Sequence, residues 1–154
     1  MTNQTITVGE AINLINDSIL DFEDGLSSEA ISKIIYSINN ELQVRDYLLG
    51  LPSTFDMDTC KAFVAYIADS VDGADRYSVE TILSAYCYET EDILDSQIYL
   101  ASALDTKSDY SLANLIQRVM NAGWPSSAFA EMRMELHPKV VSMLEEMKDE
   151  LILA

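Results

Sequence analysis

The stretch 28-SEAISKIIYSINNELQVRDYLLG-50 carries the clearest structural signal in this sequence. Its isoleucines and leucines recur three or four residues apart, and this spacing places them on one face of a helix. The face consists of Ile31, Ile35, Ile38, Leu42 and Leu49, widened by Ile34 and Leu48. Arg45 falls on the same face, where we expect it to be partly buried and to donate to an ion pair. Because Gly50-Leu51-Pro52 stops a helix, the pattern predicts one helix over about residues 28–49.

The segment before this stretch predicts another helix, over about residues 8–22. Thr7 and Glu10 have the Thr-x-x-Glu spacing of a capping box, which marks a helix start. An apolar stripe follows at helical spacing: Ile12, Ile15, Ile19 and Phe22. Asp24-Gly25 is a typical helix end.

Four further apolar stripes follow residue 50, separated by turn residues. The residues that we expect to face inward are Cys60, Phe63, Val64 and Ile67; Val79, Ile82, Leu83, Tyr86 and Cys87; Leu94, Ile98, Ala101 and Leu104; and Leu112, Leu115, Ile116 and Val119. Glu91 and Asp92 are expected in the first turn of the helix that begins near residue 90. A short helix over 127–136 and a last one after His137-Pro138 complete the pattern. With only 5 glycines and 3 prolines, the chain is predicted to be all-α: a compact antiparallel array of about seven to eight short helices, partly like helix-turn-helix repeats.

Composition indicates a globular protein, and the length of the chain limits the number of domains. The chain has 154 residues, of which 49% are hydrophobic, and this is enough apolar material for a core. We expect a single helical domain over residues 1–154, because the helices on either side of residues 50–55 each need cover for an apolar face. A division into two parts near residues 50–55 is the alternative.

The sequence also predicts the compartment. Cys60 and Cys87 have no metal-binding spacing and lie among apolar residues, as reduced, buried cysteines do. The first residues contain no signal-peptide pattern, and no stretch has the roughly 18 apolar residues of a membrane span. We therefore expect a cytoplasmic protein without membrane contact, cofactor or bound metal.

Three segments resemble a known family. The helix end VRDYLLG at residues 44–50, the segment TILSAY at 81–86, and YSLANLI at 110–116 followed by AGWP at 122–125 are similar to the actinobacterial and actinophage domain of unknown function 4192. The resemblance covers about residues 40–136, so that the first helix and the last would be additions to it. A family turn with the sequence GDG is replaced here by residues 89–92. The resemblance implies a helical fold and an actinobacterial or phage origin, but it implies no activity.

Net charge suggests the kind of partner. At −17 the chain should repel nucleic acid and favour a basic protein surface. Acidic residues concentrate between positions 69 and 95, and this region is one candidate contact surface: Asp69, Asp72, Asp75, Glu89, Glu91, Asp92 and Asp95. The second candidate is the apolar face of the last predicted helix: Val140, Leu144, Met147 and Leu151. The aromatic residues Tyr86, Tyr88, Tyr99, Trp124 and Phe129 are expected mainly in the core, and exposed anchors for a partner are the alternative.

No catalytic constellation is visible, so we expect a binding protein and not an enzyme. The only histidine, His137, has no partner at metal-ligand spacing, and its position before Pro138 is that of a helix start. The favoured hypothesis is a small acidic module, phage-encoded or phage-derived, that binds and modulates a host protein. The alternatives are an acidic nucleic-acid mimic, which would lose its basic partner steeply with salt, and a homo-oligomeric structural component or homodimer.

Overall fold

The computed structural model describes residues 6–128 and 130–131. These residues form seven α-helices and no strand: α1 (Val8–Asp21), α2 (Ser28–Asn40), α3 (Leu42–Leu49), α4 (Met57–Asp69), α5 (Tyr77–Glu89), α6 (Ile93–Thr106) and α7 (Ser111–Asn121). Residues 126–128 and 130–131 are also helical. The predicted all-α fold class is therefore confirmed. The predicted last helix and the end of the one before it lie outside the described residues.

The first helix begins as its sequence predicts. The Glu10 N–H donates to Thr7 Oγ1 (3.1 Å), and the Thr7 N–H donates to Glu10 Oε1 (3.0 Å). This reciprocal pair satisfies two backbone donors that a helix start leaves without partners. Downstream, Gly25 has a φ of 94°, which glycine adopts without the steric cost of a Cβ.

The prediction of a single helix over residues 28–49 is wrong, because Glu41 interrupts the helical backbone. Glu41 is extended, with φ −124° and ψ 109°, so α2 and α3 are separate helices. The Asn40 side chain donates to the Tyr36 carbonyl at 2.8 Å, as short polar side chains do where they compete with the helical backbone. The break turns Leu42 outward, contrary to its predicted inward position. Arg45 is nevertheless half-buried and pairs with Asp46 at 2.9 Å, as expected.

Helix α5 lies at the centre of the fold. Every residue from Ser78 to Tyr88 is buried, and α5 contacts α2, α3, α4, α6 and α7. The Tyr86 hydroxyl donates to the Leu48 carbonyl, which ties the C-terminal part of α5 to α3. Lys61 near the start of α4 reaches Thr90 after the end of α5 (3.3 Å), so these two helices run antiparallel.

One hydrophobic cluster draws on all seven helices. Residues on both sides of positions 50–55 belong to it, including the buried Leu48 and Phe63. Phe63 also packs on the Phe22 ring, with 5.5 Å between the ring centroids. Both cysteines are buried, and neither forms a disulfide bond within the part of the chain that the structure describes. No helix within the described residues has the length and apolar character needed to cross a membrane.

Candidate functional site

A tight turn and two serines position α6 against the central helix. Glu91 in the turn has a φ of 64°, and the Asp92 N–H donates to the Cys87 carbonyl at 2.8 Å. Ser84 and Ser96 then meet where the helices cross: each hydroxyl donates to the other residue's carbonyl, at 2.8 and 2.7 Å. Small side chains let two helices approach closely, and these hydrogen bonds satisfy both buried hydroxyls. Glu91 and Asp92 thus precede α6, and their predicted place in its first turn is wrong.

The inward face predicted for α6 is wrong for Leu94, Ile98 and Ala101, whereas Leu104 is partly buried and packs against the core as predicted. The residues that α6 buries are Ser96, Leu100 and Ala103. Leu94 and Ile98, one helical turn apart, are 70% and 57% exposed, and Ala101 on the same side is exposed as well. The apolar stripe therefore faces solvent. The same kind of error occurs in α7, where Leu115 is 38% exposed although it was predicted to be inward.

An exposed tryptophan lies at the N-terminal end of α6. The Tyr88 hydroxyl donates to the Trp124 carbonyl, and Ser126 Oγ lies 3.4 Å from a Glu91 carboxyl oxygen. These contacts hold the segment after α7 beside the turn between α5 and α6, while the Trp124 side chain stays 53% exposed. We define the α6 surface by its exposed apolar residues: Ile93, Leu94, Ile98, Ala101 and Trp124.

Three of the predicted acidic residues border the α6 surface at the start of the helix. Glu91 and Asp95 are exposed and Asp92 is half-buried. The side-chain hydrogen bond with Asp92, followed by repulsion between the two charges, raises the pKa of Asp95 above its usual value. Lys61 is close enough to oppose this effect in part. Glu91, Asp92 and Asp95 thus place three carboxyl groups along the border of the surface.

The predicted acidic region does not form one patch. Glu89, Glu91, Asp92 and Asp95 lie at the C-terminal end of α5, whereas the others flank its N-terminal end. A helix of 13 residues separates its ends by about 20 Å. The second group contains Asp69, Asp72 and Asp75. Burial, together with the nearby charges of Asp95 and Asp69 among others, raises the pKa of Tyr99 between the two groups.

The second group borders a groove between α2 and the segment that links α4 to α5. The groove has a volume of about 610 Å³. Its walls carry Asp72 and Asp75 together with polar side chains of α2. Nothing in the sequence pattern predicts this groove, because the two segments that form it are 30 or more residues apart.

The aromatic residues considered as partner anchors differ in burial. Tyr86 and Tyr88 are buried and Tyr99 is half-buried, so Trp124 is the aromatic residue that remains available. Phe129, His137 and the apolar face Val140, Leu144, Met147 and Leu151 lie outside the described residues. Within residues 6–128 and 130–131, no group of three or more His, Cys, Asp or Glu side chains is placed to hold a metal ion.

Sequence reasoning missed the exposed stripe of α6. The available signal was the pair of small residues on its other face, Ser96 and Ala103, because small residues mark a close helix contact. Comparisons of the chain with protein-family models, with curated proteins and with solved structures found no match. The resemblance of residues 40–136 to the actinobacterial family therefore stays a prediction.

Proposed function

We propose that the protein is a protein-binding module and that the α6 surface is its docking site. The observation that carries the proposal is the stripe of Leu94 and Ile98 on the solvent side of α6. Single exposed apolar residues are ordinary on protein surfaces. Several of them on one helix face, beside an exposed tryptophan and bordered by charge, have the anatomy of an interface with an apolar centre and a polar rim.

The charge of the rim indicates the chemistry of the partner. Glu91, Asp92 and Asp95 border one end of the stripe, and the exposed Asp105 lies near the other. The complementary partner presents apolar side chains flanked by Lys or Arg. Apolar contacts would supply most of the affinity, and the acidic rim would select the partner and speed the encounter. Following the family resemblance, we expect this partner among actinobacterial host proteins, and the chain would act on it by occupying its surface.

The proposal is tested by capture from an actinobacterial lysate with three matched proteins. The first is the unchanged chain, and the second carries Leu94→Gln and Ile98→Gln on the α6 surface. The third carries Leu20→Gln, a control at a residue that is 72% exposed on α1. We expect a stoichiometric partner to be retained by the first and third proteins and lost by the second. Equal retention by all three would refute docking through α6.

A salt gradient during elution tests the alternatives. A partner held through apolar contacts should resist salt, whereas a nucleic-acid mimic should release its partner steeply as salt rises. One continuous acidic patch would favour a nucleic-acid mimic, but the acidic residues form two separate groups.

Self-association through α6 would bring like-charged rims together. Sedimentation at several protein concentrations detects it, and its loss in the Leu94→Gln, Ile98→Gln variant would indicate a homodimer.

A further inference from the structure

The described part of the chain ends beside the α6 surface. The hydrogen bond from Tyr88 to Trp124 and the contact of Ser126 with Glu91 hold the chain at the N-terminal end of α6. The described residues continue only to 131. Residues 132–137 then lead to the predicted last helix, and six extended residues span about 20 Å. Helix α6 has 14 residues and is therefore about 21 Å long. The α6 surface thus lies within reach of residues 138–154, which we call the C-terminal segment.

The sequence of the C-terminal segment matches the exposed stripe of α6 in spacing. Its apolar residues recur at i, i+4, i+7 and i+11, and they are Val140, Leu144, Met147 and Leu151. The outer face of α6 has the same spacing in Leu94, Ile98, Ala101 and Asp105. At 3.6 residues per turn, the opposite side of a helical C-terminal segment carries Glu145, Glu146 and Asp149. The two apolar faces can therefore meet while these carboxylates point away from α6.

Charge favours this segment over a second copy of α6 as the occupant of the surface. Lys139 and Lys148 flank the apolar face of the C-terminal segment and are nine residues apart. The exposed Asp95 and Asp105 are ten residues apart on α6. In helices these separations are about 14 and 15 Å, so two opposite charges meet at either end. A second α6 would instead bring acidic rims together.

We propose that the C-terminal segment covers the α6 surface of its own chain and that a partner has to displace it. This regulation rests on the docking function proposed for the same surface. A tethered segment acts at an effective concentration on the order of mM, so a contact too weak to join separate molecules is populated within one chain. Such a weak cover adds little to the free energy of unfolding. It lowers the apparent affinity of the partner, because only the uncovered fraction of molecules can bind.

The cover is tested by paramagnetic broadening of NMR signals in the full chain. A nitroxide is attached through Ser142→Cys, a position on the side of the segment away from its apolar face, while Cys60 and Cys87 are buried. We expect broadening of the Leu94 and Ile98 methyl signals and none at Leu20, which is 72% exposed on α1. Absence of broadening at Leu94 and Ile98 would overturn the proposal. Broadening that also arises between separate nitroxide-labelled and isotope-labelled chains would assign the cover to a second copy, and would overturn it too.

Two matched variants of the segment test its apolar face. Leu144→Gln, Met147→Gln should lose the broadening, whereas Glu145→Gln, Glu146→Gln, with the same new residue on the other side, should keep it. Equal broadening in both would overturn the proposed contact.

The same two variants, without the nitroxide, test displacement by a partner captured from the lysate. The first should bind that partner severalfold more tightly than the unchanged chain does, and equal affinity of the two variants would overturn displacement. The docking function fails separately: its loss would appear as broadening at Leu94 without any partner that depends on Leu94 and Ile98.

Discussion

The orientation of α6 predicts that two chemically identical substitutions on this helix will differ in their cost. Leu100 is 4% exposed and Leu94 is 70% exposed. Leu100→Ala removes buried methyl groups and leaves a cavity, which costs about 2–4 kcal/mol. Leu94→Ala loses only the third of the side chain that is covered, worth about 0.5 to 1 kcal/mol. The better helix propensity of alanine offsets about 0.2 kcal/mol of this loss. We therefore expect a cost of about 0.5 kcal/mol at Leu94.

Urea unfolding followed by circular dichroism measures this difference. With the slope of a domain of this size, about 2 kcal/mol per M, the two variants should differ in midpoint by about 1 M. The slope itself should stay unchanged if both variants unfold in two states. Equal costs at the two positions, or a greater cost at Leu94, would mean that α6 buries the stripe predicted from its sequence. That result would remove the α6 surface and, with it, the proposed docking site.

Three further predictions concern the core, the first helix and the cysteines. Phe63→Ala should lower the unfolding free energy by about 3–5 kcal/mol, because Phe63 is fully buried in the central cluster; urea unfolding measures this. Hydrogen bonds with Thr7 lower the pKa of Glu10 from 4.5, so its stabilising contribution is present above the unfolded value and is lost as pH falls through the lower folded value. Glu10→Gln should therefore weaken the loss of stability below about pH 4.5. Cys60 and Cys87 are buried, and burial raises the pKa of the Cys87 thiol, so thiol reagents should label both only as the protein unfolds.

Each of these predictions has an outcome that contradicts it. A cost below about 1 kcal/mol at Phe63 would be incompatible with a packed central cluster. An unchanged acid transition in Glu10→Gln would mean that the capping box does not form in solution. Rapid labelling of either cysteine in the folded protein, with denaturant-unfolded protein as the reference, would show that the region around α5 is open.

The sequence determined where most helices begin and end. The capping pair of Thr7 and Glu10, and the stops at Gly25 and Gly50, act through hydrogen bonds and φ preferences within a few residues. Such signals are local, so they hold whatever the rest of the chain does. The buried faces of α1 and α4 could also be predicted, because their apolar residues form one stripe each.

The candidate sites depended on contacts that no local pattern contains. Helix α6 has apolar residues on more than one side, and the close crossing of Ser96 with Ser84 selected the face that became buried. That choice left Leu94 and Ile98 in solvent. It also made two serines, which look like surface residues in the sequence, part of the core. Burying their hydroxyls would be costly without hydrogen bonds, and here each hydroxyl finds its partner on the other helix.

The distribution of charge was likewise decided by the tertiary structure. In the sequence, Asp72 and Asp92 belong to one acidic region, but the length of α5 places them at opposite ends of the central helix. The separation brought one group beside the exposed stripe of α6 and the other to the groove next to Asn39. Composition fixed the amount of negative charge, whereas helix length and packing decided which surfaces carry it.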